Sequence, residues 1–305
     1  MKRIVLLNAL VAVLLIGIAG HTAAEIMKDE VVYALLSPAG EVHAVYLVNA
    51  FESDKPAEVL DYGEYESVQA LGDAEGFAYR NGQAVFTMQP GRFEYQGTMA
   101  EKSLPWRISL DYMLDGKPVL PGDLAGASGL LQGRLHVLPD EALKDFTESL
   151  TLQVTITLDG ANSLDIQADL ATQAIAGGNR ALSFVILPGQ SAEYAFSARV
   201  KDFSMPGFQA IGIRIPLDTQ MYQTIAAEAV SGTPMEAAVS GLMGNFMSRL
   251  GGSAASSFAD SRNTIRSLQF VLMGEGIRVE KPPVLPESET HEATFREHFL
   301  DLFGL

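Results

Sequence analysis

The feature that most limits how this chain can fold is an alternation at strand period. Trp106, Ile108, Leu110, Tyr112 and Leu114 alternate with Arg107, Ser109, Asp111 and Met113, and Asp115-Gly116 follows as a turn. A period of two gives a strand with one buried face. The same texture recurs from Val31 to Leu217. Val31–Leu36 and Val42–Phe51 are β-rich runs separated by Ser37-Pro38-Ala39-Gly40. Phe77–Tyr79 and Ala84–Met88 flank Asn81-Gly82, the strongest short hairpin signal. Further strands are predicted at Leu130–Leu138, Leu150–Leu158, Leu182–Leu187, Ala192–Val200 and Ile211–Leu217. Short strands with regular turns predict a mainly β fold, an antiparallel β-sandwich-like arrangement. A division is expected near residue 117, with an N-terminal β-rich region over 25–117 and a second β-sandwich-like region over 118–280. Asp123 to Gly129 reads as the loop entering the second half.

Such a fold must rest on an ordinary apolar core, because the chain has no cysteine. That absence excludes disulfides, thiolate metal sites and cysteine nucleophiles. The formal net charge is −16. A surface of that sign repels nucleic acid and anionic lipid and suits proteins, neutral glycans or cations. At the N-terminus Lys2 and Arg3 precede an apolar run from Ile4 to Ala19, and Gly20 to Ala24 are small or polar. This is the layout of a secretory signal peptide over 1–24, cut after Ala24, and it predicts export. An uncleaved anchor is the alternative, although the run is short beside the ~20 residues of a membrane span.

At Asp218 the period changes. Met221, Tyr222, Ile225 and Ala229 follow helical spacing, and Thr233-Pro234-Met235-Glu236 is a helix start. Met235, Val239, Leu242, Met243, Phe246 and Leu250 then form an apolar stripe that Gly251-Gly252 ends. Leu268, Phe270 and Leu272 alternate again as a strand. A short α-helical hairpin insertion over 218–258 is therefore expected between two strands. Residues 281–290 read as an extended Pro-rich linker. The tail over 291–305 is predicted to be a C-terminal amphipathic helix, with Phe295, Phe299, Leu302 and Phe303 on one face.

Motifs for catalysis do not emerge. There is no His-Glu-x-x-His pair, no Gly-x-Ser-x-Gly elbow, no phosphate-cradling glycine loop and no dinucleotide fingerprint. His43 and His136 fall in strands, and His291 and His298 fall in the tail. Asp159-Gly160-Ala161-Asn162 with Asp165 lacks the spacing of a calcium loop and reads as a hairpin turn. Trp106 fits a core strand better than a sugar platform. No catalytic, cofactor-binding or metal residues are assigned, and no cofactor is expected.

Several strings occur together: Glu30-Val31-Val32-Tyr33, the Val45–Phe51 run, Asp61-Tyr62-Gly63-Glu64-Tyr65, and Phe93-Glu94-Tyr95-Gln96-Gly97. Leu104-Pro105-Trp106 and the late runs Ser267–Leu272 and Phe299–Phe303 continue the series. The set resembles a group of exported bacterial envelope proteins with Leu-x-x-Gly heptad repeats, akin to phage-infection-protein-like membrane proteins. The chain lacks an extended run of those repeats. The resemblance implies an architecture and an extracytoplasmic location, secreted or on the outer face of the cytoplasmic membrane, and it carries no active-site residues.

Two functions follow as expectations. The first is a non-catalytic envelope protein, an accessory or interaction module of a membrane transport or assembly system. It would bind an envelope or membrane protein through Phe295, Phe299, Leu302, Phe303, Leu242 and Phe246. The alternative is a secreted glycan-binding or glycan-processing protein, which needs a concave sheet face with exposed aromatics and paired carboxylates.

Overall fold

The computed structural model describes residues 25–214 and 255–278. The strands come in the order β1 (Met27–Leu36), β2 (Val42–Ser53), β3 (Ala57–Tyr62), β4 (Tyr65–Ala70), β5 (Glu75–Arg80), β6 (Gln83–Met88) and β7 (Gly91–Met99). Then follow β8 (Trp106–Leu114), β9 (Lys117–Val119), β10 (Gly129–Pro139), β11 (Thr151–Asp159), β12 (Ser163–Gln167) and β13 (Thr172–Ala176). The series ends with β14 (Asn179–Ile186), β15 (Ala192–Val200), β16 (Gly207–Ile213), β17 (Ala255–Ser256), β18 (Thr264–Ile265) and β19 (Ser267–Gly274). Among the described residues helix is confined to two short 3-10 turns, Pro121–Leu124 and Glu141–Leu143, and one turn of α-helix, α1 (Lys144–Thr147).

Nine strands form the main sheet, in the order β13-β14-β11-β16-β19-β1-β2-β7-β4. Every pairing in it is antiparallel except that of β1 with β19, which run parallel from Asp29 beside Ser267 to Leu36 beside Gly274. Strands from both sides of residue 117 share this sheet. Over its core face lie a five-stranded sheet, β12-β15-β10-β8-β9, and a three-stranded sheet, β3-β6-β5. The fold is thus mainly β and sandwich-like, built from antiparallel sheets.

The alternations that predicted strands also set the burial. In β8, Trp106, Ile108, Leu110 and Tyr112 are buried while Arg107 and Asp111 face out. Trp106 is 4% exposed and meets the ring of Phe270 edge-on at 5.5 Å. It lies over Gly212 of β16, where a Cβ would fall 2.7 Å from the indole, so only glycine fits beneath it. The other end of the core is aromatic: Phe86 of β6 meets Phe93 of β7 at 4.6 Å and Phe51 of β2 at 5.2 Å. Rings at such spacings add about 0.5–1.5 kcal/mol per pair beyond the area they bury.

Turn chemistry holds at Asn81-Gly82 and at Ser37 to Gly40. Asn81 and Gly82 both take positive φ, 51° and 73°, as a two-residue hairpin between β5 and β6 requires. Ser37 to Gly40 does more than turn the chain. Ala39 accepts a hydrogen bond from the Leu110 amide at 3.0 Å, and Pro38 accepts one from the Tyr112 hydroxyl at 3.0 Å, which ties the main sheet to the five-stranded one.

Several expectations are corrected. The 159–162 turn is no hairpin, because β11 and β12 belong to different sheets and the turn carries the chain between layers. Asp159 stabilises it by accepting from the Ala161 amide at 2.9 Å. β16 starts at Gly207, directly after Pro206, four positions before the expected Ile211. The insertion does not extend to 258, because Ala255–Ser256 pairs with Thr264–Ile265. The rest of the predicted helical hairpin and the C-terminal amphipathic helix lie outside the described residues.

Candidate interaction surfaces

None of the six expected partner-binding residues falls in the described chain: Leu242, Phe246, Phe295, Phe299, Leu302 and Phe303 all lie outside it. What the structure does show is where the segment containing Leu242 and Phe246 is rooted. The chain leaves β16 at Arg214 and resumes at Ala255 in the small β17–β18 ladder, and both points line one concavity, so departure and return lie close together. A concavity of about 340 Å³ opens between these two points, with Phe146, Leu150, Ile213, Ala255 and Leu268 on its walls.

The return point is fastened by a buried ionic cluster that the sequence analysis did not find. The alternation that turns Val32, Ala34 and Leu36 of β1 inward does the same to Lys28 and Glu30. The Lys28 ammonium sits 2.8 Å from Glu30 and 2.7 Å from Asp61 of β3, and all three side chains are essentially sealed from solvent. The Tyr95 hydroxyl donates to the other Asp61 oxygen at 2.5 Å. Glu30 accepts from the Ser257 hydroxyl at 2.6 Å and from the Phe258 amide at 2.7 Å. Beside it Asn49 donates to the Tyr65 hydroxyl at 3.0 Å, while Asn49 Oδ1 and Gln96 Oε1 stay unpaired. Burial raises the Asp61 pKa above the ordinary carboxylate value, against the pull of Lys28. Burial likewise drives the Tyr95 hydroxyl far up, with neighbouring Tyr65 and Asp61 adding to the effect, so it stays a donor. One cation against two carboxylates, closed from solvent, has no room for a reactant. It anchors β1, β3 and the 257–258 segment to each other.

Around this anchor lies a second, exposed set of ties. Arg266 spans Asp29 and Glu52, and its hydrogen bond holds the Asp29 pKa below the usual carboxylate range. The Asn263 amide exchanges hydrogen bonds with the Tyr62 backbone at 2.7 and 3.0 Å, and the Arg262 guanidinium lies 3.9 Å above the Tyr62 ring.

The outer face of the five-stranded sheet holds a concavity of about 320 Å³, where Asp111, Gln132, Arg134, Gln167, Asp169 and Ser197 converge. His136 stands beside it, 3.3 Å from Asp111 and 3.7 Å from Glu193. Phe196 is the one ring on its wall, and that ring is buried in the core beneath Gly133. Trp106 is buried too. The face therefore lacks the exposed aromatic platform that the glycan reading requires. Among the described residues no group of three or more His, Cys, Asp or Glu could hold a metal ion. Among the same residues no helix is long and apolar enough to cross a membrane.

The sheet edges differ from one another. β4 carries Glu66 and a register break, β5 a register break, and β3 Glu58. β9 is three residues with Lys117 and Pro118, and β12 carries Asp165 and a register break. β13, Thr-Gln-Ala-Ile-Ala, has no charge, no proline and no irregularity in its ladder with β14. Ile175 on it is 67% exposed, and Leu170 just before it is 85% exposed.

Comparison with known proteins gives fold likenesses only. No family model matches the chain, and no curated protein does. Solved structures of similar layout include the Fcho1 Mu homology domain of Danio rerio with a bound Eps15 peptide, 11% identical, TM-score 0.43, over 83% of this chain and 96% of that one. The yeast delta-COP-I mu-homology domain follows, 10% identical, TM-score 0.39, over 85% of this chain and 98% of that one. The same yeast domain complexed with a Dsl1 WxWxV peptide is 9% identical, TM-score 0.39, over 83% and 97% of the two chains. These findings correct the expected resemblance: the solved structures just named as similar are Mu homology domains, not Leu-x-x-Gly envelope proteins or phage-infection-protein-like ones. The extracytoplasmic location inferred with that resemblance is withdrawn as well.

Proposed function

We propose that this chain is a non-catalytic protein-interaction module. The observation that carries the reading is the division of its polar chemistry. Among the described residues the charged side chains that the fold buries are consumed in the Lys28–Glu30–Asp61 anchor, and what faces solvent is sheet edge, shallow polar concavity and scattered apolar side chain. Two of the solved structures of similar layout hold a peptide, and the reading for this chain rests on its own surfaces.

Within this function the C-terminal residues Phe295, Phe299, Leu302 and Phe303 form the docking stripe, reached over the Pro-rich 281–290 tether. An isolated helix of this length is marginal in water and needs a surface to fold on. Leu242 and Phe246 provide a second apolar contact, on a helical hairpin rooted between Arg214 and Ala255. The closeness of Arg214 and Ala255, which line one concavity, supports that hairpin, because the segment must return near where it left.

The test is truncation after Pro286, followed by crosslinking in cells that make the protein. The truncated chain is expected to keep its thermal stability and lose its crosslinked partner. A truncated chain that loses stability and keeps the partner assigns the tail to the fold and overturns the docking role.

A further inference from the structure

We propose that the outer face of the main sheet is a docking surface for the chain's own residues 218–229, which lie across it as an amphipathic helix. Both smaller sheets pack on the opposite face, where Trp106 meets Phe270 and Phe86 meets Phe51. The outward side chains of the four central strands are nevertheless apolar. Tyr46 of β2, Tyr33 of β1, Val271 of β19 and Ile211 of β16 stand side by side in one row. Val48 and Val31 share the next row with Ile213, the last residue of β16. None of these side chains belongs to the continuous core of the sandwich. Even so, Val271 is 7% exposed, and burial raises the pKa of the Tyr33 hydroxyl, with Glu94 adding to the effect. A contiguous apolar area of this breadth marks a contact surface.

The path of the chain says what the contact is. Ile213 ends β16 on this face, and the 215–254 segment departs from the next residue, Arg214. Residues 215–217 reach about 10 Å when extended, the spacing of one packed layer. Asp218 is of the type that caps helices. After it Met221, Tyr222, Ile225 and Ala229 share one helical face, with Gln220, Gln223 and Thr224 on the other. A helix over 218–229 would be ~18 Å long at ~1.5 Å per residue. The row from Ile211 to Tyr46 crosses three gaps between strands, about 14 Å at ~4.8 Å each. One helix laid across the strands therefore covers the row. A helix so short is marginal alone in water and needs an apolar surface to fold on.

Other occupants fit worse. A second copy would have to displace the segment that leaves from this very face, and two copies carry like charge, −16 each. The tail follows Arg278, past the opposite end of β19. The inference goes beyond the proposed function and does not depend on it, because Leu242 and Phe246 lie in the other half of the segment and stay open to a partner.

The test uses the purified full-length protein with benzoylphenylalanine in place of Tyr46. Irradiation should give an adduct within one chain, mapped by mass spectrometry to 218–229, and truncation after Pro286 should leave it unchanged. The chain has no cysteine, so single introduced thiols report cover directly. Val271→Cys should react slowly with a disulfide reagent and at least about tenfold faster when combined with Ile225→Asp, as local cover opens. Val154→Cys, in the sandwich core, should stay slow in both backgrounds. The adduct, made with an unaltered segment, decides the matter if the Ile225→Asp chain does not fold. An adduct between two chains, or one mapped beyond Arg278, would overturn the assignment. So would no adduct at all, or a Val271→Cys rate that Ile225→Asp leaves unchanged in a folded chain.

Discussion

At the scale of single residues the anchor under β1 decides most. Lys28 is the one cation between two buried carboxylates, and its removal leaves both uncompensated. Breaking a buried pair on one side costs about 3–5 kcal/mol, so Lys28→Met should lower the free energy of urea unfolding by that much. Asp61 gives the pH signature. Its folded pKa lies above its unfolded one, so its ionisation costs stability. As pH falls through the folded pKa towards the ordinary carboxylate value, that cost disappears. The stability of the native protein relative to Asp61→Asn should therefore rise on acidification over that window. Asp29 behaves in the opposite sense: its lowered pKa gives stability that is lost as pH falls through it. A difference curve for Asp61→Asn that falls on acidification would refute the assignment. The sequence held a legible signal here, since Lys28 and Glu30 continue the inward alternation of Val32, Ala34 and Leu36. Partners as remote as Asp61 and Ser257 are a tertiary matter. The strings around Glu30, Asp61 and Tyr95, first read as a family likeness, have their physical reason in this one cluster.

Individual elements were legible where one face is buried and a turn is marked. β8, β10, β15 and the β5–β6 hairpin follow from alternation and from Asn81-Gly82. The edge strands β3, β4, β9, β12 and β13 and the short β17 and β18 were missed, because charged, small or amide side chains carry weak periodicity, and β7, inside the main sheet, was missed because Tyr95, Gln96 and Gly97 are buried in succession rather than alternately. The burial of β8 is directly testable. Trp106 is the only tryptophan, so the native protein should show the blue-shifted emission of a shielded indole. Trp106→Ala should cost about 3–5 kcal/mol. The fit against β16 is equally specific. Gly212→Val places methyl groups into the indole and should cost about 1–3 kcal/mol in the same unfolding assay, with Gly212→Ala milder. Water-exposed emission in the native protein would remove Trp106 from the core.

At the scale of the whole molecule, the N-terminal strand and the last described strand lie side by side. β1 and β19 are parallel neighbours at the centre of the nine-stranded sheet. No periodicity in the sequence could show this, because register between strands more than two hundred residues apart is set by packing. The same arrangement makes β16, which ends just before Arg214, and β19, which precedes Arg278, neighbours in that sheet. In the proposed function the 215–254 segment and the chain beyond Arg278 make the contact with a partner, which is the central claim. A photocrosslinking amino acid at position 299, in the full chain and in the cells that make it, tests it most directly. The account predicts an adduct between position 299 and a discrete second protein, absent when Phe295 and Leu302 are changed to aspartate. An adduct only to the chain's own β-sandwich, unaltered by added cell protein, would contradict it.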